Sequence, residues 1–238
     1  LRNVVWAQPV VVAAQPVTLH VALLRGPTGD LACEIYTSDN GGADNGNAER
    51  TIHFQCGATP LTQDDARIDL AALRARRDGE IPVDDCYALL GMGGLNYGTA
   101  FRSMQHIGTG KAADGAPFVL THLDLPEPIR AGAQDFHLHP SLLDGALQSS
   151  IGLSLMSSTG DGTVDSRPHL PYAVETFDVF APVHGEVHAF VRLASGSSER
   201  LRKFDLALCD AAGNVCVDIR GFSVRLLVNH DSLSTPGR

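Results

Sequence analysis

The stretch FHLHPSLLDGALQSS, residues 136–150, places a single aspartate inside an otherwise apolar segment. Its apolar residues follow a proline closely: Leu142, Leu143, Ala146 and Leu147. Such a run predicts a buried helix over residues 140–157. Pro140 suits the first turn of that helix, where its missing backbone N–H is not needed. The carboxyl group of Asp144 is therefore expected in apolar surroundings.

Strand-like runs lie on both sides of this helix. Residues 17–59 predict an antiparallel meander that contains a polar loop at 41–50, and a turn at Asp210–Asn214 separates two later strands. Residues 64–79 alternate charged and apolar side chains, which fits either a surface helix or an extended linker over a sheet. Strands before and after one buried helix predict an α+β domain, with a sheet wrapped around a helix.

Composition favours a globular protein and argues against two classes of partner. The 238 residues are 44% hydrophobic and 19% charged, which suits one large domain or two small ones. A net charge of −9 without a Lys/Arg cluster argues against nucleic-acid binding. Without a long apolar run or a visible signal peptide, we expect a cytoplasmic protein with no membrane contact. Because an initiator Met is missing, we expect a piece of a larger protein.

The cysteines predict reduced thiols. They are odd in number, scattered and without a CxxC pair: Cys33, Cys56, Cys86, Cys209 and Cys216. No His/Cys/Asp cluster has metal-ligand spacing, and no Gly-rich phosphate loop lies between a strand and a helix. We therefore expect neither a metal nor an organic cofactor.

Three stretches occur in a fixed order: LNYGTAF (95–101), HPSLLDGALQ (139–148) and LPYAVETFDVF (170–180). Together they resemble the dehydratase domains of modular polyketide synthases. That family carries a Tyr-Gly-Pro-x-Phe segment, a His-Pro-x-x-x-Asp-x-x-x-Gln/His segment and a Leu-Pro-Phe-like strand. The opening RNVVWAQPVVV is similar to a strand of members from assembly lines with free-standing acyltransferases. The resemblance covers nearly the whole chain.

The resemblance implies a double hotdog, in which two curved antiparallel sheets each wrap around a helix. It assigns residues 1–94 to a first hotdog without its N-terminal part, 95–230 to the second, and 231–238 to a tail. A hotdog sheet without its helix would expose an apolar concave face. We expect either a partner segment or residues 64–92 to cover that face.

The resemblance also implies a reaction. A β-hydroxyacyl chain, held as a thioester on the phosphopantetheine arm of an acyl carrier protein, loses water to give an α,β-enoyl thioester. A histidine removes the α-proton, and an aspartate on the helix of the second hotdog protonates the departing hydroxyl. Asp144 matches that aspartate, and an apolar setting raises a carboxyl pKa so that it can act as an acid near neutral pH. The alternative is that Asp144 only caps or pairs within the protein.

Further residues match positions around this acid. Gln148 lies four residues after Asp144 on the same helix face, where its neutral amide can orient the carboxyl group. Tyr97 and Gly98 match the Tyr-Gly-Pro segment, and Tyr97 would position Asp144 or the substrate. Phe101 either lines the substrate tunnel or packs in the core, and we prefer core packing.

Three other positions carry over from the family. Pro171 and Tyr172 match the Leu-Pro-Phe strand that borders the substrate tunnel. His139 takes the place of the histidine in the second motif, and we expect it to support the start of the helix.

Two features depart from the family. Its base is a histidine in a His-x-x-x-Gly-x-x-x-x-Pro motif, and none of the ten histidines here is followed by both that glycine and that proline. The chain begins after the motif's place, so a dehydratase would take this histidine from a preceding or separate segment. Thr99 stands where the family has proline, which would fix φ at that turn, so the shape of the channel is open.

Three functions remain open at this point. The first is a dehydratase domain. The second is a dehydratase-like domain without plain dehydration, acting as a structural or carrier-docking domain of a chain-branching module, or as an isomerase or cyclase. Thr99 and the absent histidine motif favour the second, whereas Asp144 and Gln148 weigh against it. The third is a small-molecule binding protein of hotdog or lipocalin-like shape.

The resemblance finally implies partners. They are the acyl carrier protein and neighbouring ketosynthase and ketoreductase domains of the same synthase. A homodimer through the first hotdog is a further arrangement that the family makes.

Overall fold

The protein folds around a long antiparallel sheet, seen in a computed structural model that describes residues 1–26, 29–38, 49–61, 66–157, 169–198 and 201–226. Within these residues the sheet has eleven strands in the order β2-β3-β4-β1-β8-β11-β10-β9-β7-β6-β5. The strands are β1 (Arg2–Trp6), β2 (His20–Arg25), β3 (Leu31–Ser38), β4 (Arg50–Ala58), β5 (Arg77–Ile81), β6 (Met104–Lys111), β7 (Pro117–Leu123), β8 (His169–Val179), β9 (Val187–Leu193), β10 (Leu201–Asp210) and β11 (Val215–Leu226).

Helices occupy the faces of this sheet. The α-helices are α1 (Leu70–Ala75), α2 (Val83–Met92), α3 (Pro140–Gln148) and α4 (Ile151–Ser157). In the part of the chain that the structure describes, two 3-10 helices span Thr99–Phe101 and Glu127–Asp135. None of the helices in the described ranges is long and apolar enough to cross a membrane.

The predicted meander is confirmed. Strands β2, β3 and β4 follow one another along the chain and pair antiparallel in that order. The opening RNVVWAQPVVV, which is similar to a strand of the family, is a strand only in its first part, since β1 ends at Trp6. Pro9 follows, and proline cannot donate to a sheet ladder. Residues 41–48 of the predicted polar loop and the predicted tail at 231–238 lie outside the described residues.

The predicted buried helix is also confirmed, with one correction. Leu142, Ala146 and Leu153 are at most 2% exposed, so the segment packs into the core against the sheet. However, it forms two helices, and the single helix over 140–157 was wrong. The Ser149 Oγ donates to Gly145 O, and the Ser150 Oγ to Leu147 O, both at 2.7 Å. Hydroxyls that bond nearby carbonyls compete with the regular helix ladder and interrupt it here.

Residues 66–92 cover a different part of the sheet from the one suggested by the sequence. The sequence left residues 64–79 open between a surface helix and an extended linker. The structure shows a short helix, α1, followed by strand β5. Leu70 of α1 packs on a cluster formed with Phe118 and Leu120 of β7. Strand β5 pairs with β6, at the opposite end of the sheet from β2. The suggestion that 64–92 covers the first sheet is therefore wrong for the described part of this segment.

The division into residues 1–94 and 95–230 stays a prediction. Because β5 and α2 lie beside β6, we propose a boundary earlier in the chain, between β4 and α1. The meander β2–β4 would then form the first unit with β1, and residues from α1 onward would belong to the second.

Gly145 allows α3 to approach the sheet closely. A Cβ atom built on it would lie 2.0 Å from Ser103 Oγ and 3.2 Å from Leu123 Cδ2. Ser103 cannot move freely, because its hydroxyl donates to Ser141 O at 2.8 Å. The absence of a side chain at Gly145 therefore sets the distance between α3 and strand β7.

We predict that Gly145→Ala destabilises the fold by about 1–3 kcal/mol, the usual cost of overpacking a filled core. The free energy of unfolding in urea measures this loss. Gly132→Ala is the matched control, since its Cβ would meet nothing closer than 3.8 Å. The double variant Ser103→Ala/Gly145→Ala should recover part of the loss. A Gly145→Ala protein as stable as the wild type would contradict the close approach of α3.

Candidate active site

One face of α3 opens onto a cavity of about 480 Å³, called here the Asp144 pocket. The helix contributes residues spaced i, i+3, i+4 and i+7: Pro140, Leu143, Asp144 and Leu147. The opposite wall comes from the loop after α2 and the 3-10 helix that follows it: Asn96, Tyr97, Gly98 and Phe101. The predicted site residues Asp144, Tyr97, Gly98 and Phe101 therefore lie together.

Gln148 fixes the acid from the next turn of α3. Its amide nitrogen donates to Asp144 Oδ2 at 2.6 Å and to the backbone oxygen of Phe101 at 3.1 Å. The Gln148 side chain is buried, and its Oε1 atom has no hydrogen-bond partner among the described residues. The predicted orienting contact between Gln148 and Asp144 is present, and the same amide also holds the opposite wall of the pocket.

The surroundings of Asp144 change its acidity. Burial raises the pKa of the carboxyl group above its ordinary value, because a charged carboxylate is poorly solvated there. The hydrogen bond from Gln148 favours the charged form and opposes this effect, without cancelling it. The carboxyl group therefore holds its proton to a higher pH than an exposed aspartate does.

Tyr97 brings a hydroxyl group to the same pocket. Burial, followed by the negative charges of Asp144 and Tyr87, raises the pKa of Tyr97 to about 12. Its hydroxyl therefore keeps its proton near neutral pH and can donate a hydrogen bond. The ring packs edge-on against Tyr87, with ring centroids 6.3 Å apart, and Tyr87 accepts a hydrogen bond from Met104 N at 3.3 Å.

The structure settles the position of Phe101 and the shape of the turn at Thr99. The Phe101 side chain is 41% exposed and lines the pocket, so the preferred interpretation as a core residue was wrong. Gly98 has φ −70° and ψ 165°, a conformation that also suits a residue before proline. Thr99 begins a 3-10 helix, whose φ range includes that of proline. Threonine in place of proline therefore leaves the turn in the shape that proline would give it.

His139 lies at the start of α3. Its Nδ1 atom accepts a hydrogen bond from Ser141 N at 3.2 Å, and burial lowers the pKa of the ring, so it stays neutral and can accept. This geometry supports the expected role at the helix start. Pro171 and Tyr172 lie on β8 and are not among the described residues that line the Asp144 pocket. Tyr172 instead packs under the Arg225 guanidinium, 4.5 Å from the ring centroid.

Four lining residues had no functional role in the sequence interpretation: Asn96, Pro140, Leu143 and Leu147. The spacing of Leu143 and Leu147 around Asp144 was the available signal, since residues three and four apart share a helix face. No sequence signal pointed to Asn96, because its place opposite α3 depends on the loop conformation. No histidine of the described residues lines this pocket, and within the same residues no group of three His, Cys, Asp or Glu side chains has metal-site geometry.

We predict that burial of Asp144 appears in the pH dependence of stability. The folded protein binds this proton more tightly than the unfolded chain, so as pH rises above 3.8, the ordinary pKa of an aspartate, the wild type should lose stability relative to Asp144→Asn. Urea unfolding of both proteins at each pH measures the difference between their free energies of unfolding. The contributions of the other titrating groups cancel in this difference. A difference that is constant or changes in the opposite direction would contradict a raised pKa.

Comparisons with known proteins agree with this geometry. Residues 65–234 match the family described as polyketide synthase dehydratase N-terminal domain. The chain is 32% identical over 230 residues to polyketide synthase PksN of Bacillus subtilis (strain 168), covering 94% of the chain and 4% of PksN. It is 28% identical over 233 residues to PksM of the same organism, covering 95% of the chain and 5% of PksM. The chain thus spans a small fraction of these relatives.

A solved structure supports the same assignment. The fold is similar to a trans-AT PKS dehydratase domain from Brevibacillus brevis, with a TM-score of 0.80 and 30% identity, over 95% of this chain and 75% of that one. The likeness confirms the predicted double hotdog fold and, with the family match, the resemblance seen in the three motifs. The chain belongs to the polyketide synthase dehydratase family.

Proposed function

We propose that this domain dehydrates a β-hydroxyacyl thioester carried on the phosphopantetheine arm of an acyl carrier protein. The observation that carries the proposal is Asp144, a carboxyl group with a raised pKa in a largely apolar pocket and bonded to Gln148. A protonated carboxyl group at the wall of a cavity is suited to donate a proton to a leaving hydroxyl.

In the proposed reaction, Asp144 gives its proton to the β-hydroxyl group, which leaves as water when its bond to the β-carbon breaks. A base removes the α-proton, and the electrons of that C–H bond form the new double bond. Asp144 is left as a carboxylate, which the Gln148 N–H stabilises until the proton returns from the base through solvent. The products are one α,β-enoyl thioester and one water.

The sequence of these 238 residues does not contain the motif that carries the catalytic base of the family. The family resemblance assigns it to a histidine in the His-x-x-x-Gly-x-x-x-x-Pro motif, which is absent from this sequence. The proposal therefore requires a histidine from another stretch of polypeptide. Such a residue would face Asp144 across the open side of the pocket.

The other expected features follow from this proposal. The domain would work in the cytoplasm beside ketosynthase and ketoreductase domains and would receive its substrate from the carrier protein. It would need no metal or organic cofactor, since proton transfer by a carboxyl group and a histidine is sufficient for this elimination. Homodimerisation through the first hotdog remains part of the proposal.

We predict that Asp144→Asn lowers turnover by about 10²- to 10⁴-fold, the usual contribution of general acid catalysis. The change keeps the shape of the side chain and removes its ionisable proton. Gln148→Ala should cost less, because it removes only an orienting hydrogen bond. Mass detection of water loss from a β-hydroxyacyl carrier protein, with the synthase that contains this segment, measures both effects.

Asp85→Asn is the matched control, since this aspartate is exposed on α2, outside the pocket. Unchanged turnover in a folded Asp144→Asn protein would remove Asp144 from the mechanism. No water loss from the wild-type synthase would contradict the dehydratase proposal. A dehydratase-like domain with a structural, isomerase or cyclase role would then replace it.

A further inference from the structure

A second pocket adjoins the Asp144 pocket at the N-terminal end of α3. It has a volume of about 420 Å³, and we call it the distal pocket. It shares the lining residues Phe101 and Pro140 with the Asp144 pocket, so the two cavities are neighbours. The α3 residues that line the two pockets run from Leu147 past Asp144 to Pro140 at the start of the helix.

The distal pocket is built for an apolar occupant. Its apolar lining is Ala100, Phe101, Pro128, Ile129, Phe136 and Pro140. Phe136 is 42% exposed and Phe101 41%, so two aromatic side chains that line this pocket are partly open to solvent. Large exposed apolar side chains that share one concave surface are typical of a ligand site.

Three charged side chains near the distal pocket bond one another. Arg130, on the same 3-10 helix as Ile129, bonds Glu127 Oε2 and Asp124 Oδ2, each at 2.8 Å. None of these three residues lines the distal pocket. His139, the one titratable side chain at its wall among the described residues, uses Nδ1 to cap α3. The side chains that line the pocket are therefore mostly apolar, and the exceptions are His139 and Ser141.

The position of the distal pocket defines which part of a ligand reaches it. At 1.5 Å per residue, Pro140 lies about 6 Å from Asp144 along α3, the extended length of about five carbon–carbon bonds. If the third carbon of an acyl chain carries its hydroxyl to Asp144, the distal pocket begins at about the eighth carbon. Shorter chains would end inside the Asp144 pocket.

We infer that the distal pocket binds the far hydrocarbon end of the acyl chain and makes the domain selective for chains of about eight carbons or more. This inference rests on the proposed function for the identity of the ligand. Ile129, Phe136 and Gly132 are then the residues that set chain-length preference. They act on binding and take no part in the proton transfers.

Two variants fill the distal pocket. Ile129→Trp enlarges a wall residue, and Gly132→Leu adds a side chain where a Cβ meets nothing closer than 3.8 Å. Because Ile129 packs partly against the core, Ile129→Trp can perturb the fold. In that case Gly132→Leu provides the test. Leu193→Trp is the matched control, since Leu193 is 43% exposed on β9 and lines neither pocket.

The readout is binding of saturated acyl-pantetheine thioesters, from butyryl to dodecanoyl, which have no hydroxyl group to lose. In the wild-type synthase domain the Kd should fall about fourfold for each carbon beyond about the eighth. In Ile129→Trp and Gly132→Leu this dependence should disappear, while butyryl binding stays unchanged. Leu193→Trp should behave as the wild type.

Two results would overturn the inference. One is the same chain-length dependence in the filled-pocket variants as in the wild type. The other is an equal loss of binding for butyryl and dodecanoyl ligands, which would place the pantetheine arm in the distal pocket. A third result separates the inference from the proposed function. If the filled-pocket variants lose the chain-length dependence but the wild type removes no water from β-hydroxyacyl substrates, the proposed function is contradicted. The distal pocket is still supported as a chain-binding site.

Discussion

The amide group of Gln148 holds the two walls of the candidate site together. It bonds the Asp144 carboxyl group on its own helix and the Phe101 backbone on the facing loop. Because its side chain is buried, water cannot easily replace either bond, and loss of one partner would leave a buried polar group unpaired. The position of the acid and the width of the pocket therefore depend on the same side chain.

The sheet makes this arrangement possible by burying α3 deeply. Gly145 brings the helix against Ser103 and Leu123, while the opposite side of α3 faces the pocket. An acid on that face is surrounded mainly by Leu143, Leu147 and aromatic rings, and this burial raises its pKa. Packing and acidity are thus linked, since a change that loosens α3 would also solvate the carboxyl group.

The sequence was informative where short-range patterns decide the structure. The apolar residues after Pro140 predicted the buried helix, and the four-residue spacing of Asp144 and Gln148 predicted their contact. The break at Ser149 was missed because side-chain bonds to the helix carbonyls are not visible in an apolar pattern. The exposed position of Phe101 depends on the loop opposite α3, a long-range contact that no local pattern encodes.

Strand order was the other limit of the sequence. The chain reads β4, α1, β5, yet β4 and β5 lie far apart in the sheet. Local patterns identify strands without their partners, so the suggestion that residues 64–92 cover the first sheet was wrong for the part of this segment that the structure describes. The positions of Pro171 and Tyr172 on β8 were subject to the same limit, because a match to a motif gives a strand but not the surface that it faces.

A ¹³C NMR titration of the side-chain carboxyl groups, with Asp144 assigned by comparison with Asp144→Asn, measures the property on which the candidate site depends. Burial in the folded protein predicts that Asp144 titrates above 3.8, its ordinary pKa. Titration at or below that value would show a solvated or strongly stabilised carboxylate. Asp144 would then be unsuited to protonate a leaving hydroxyl group.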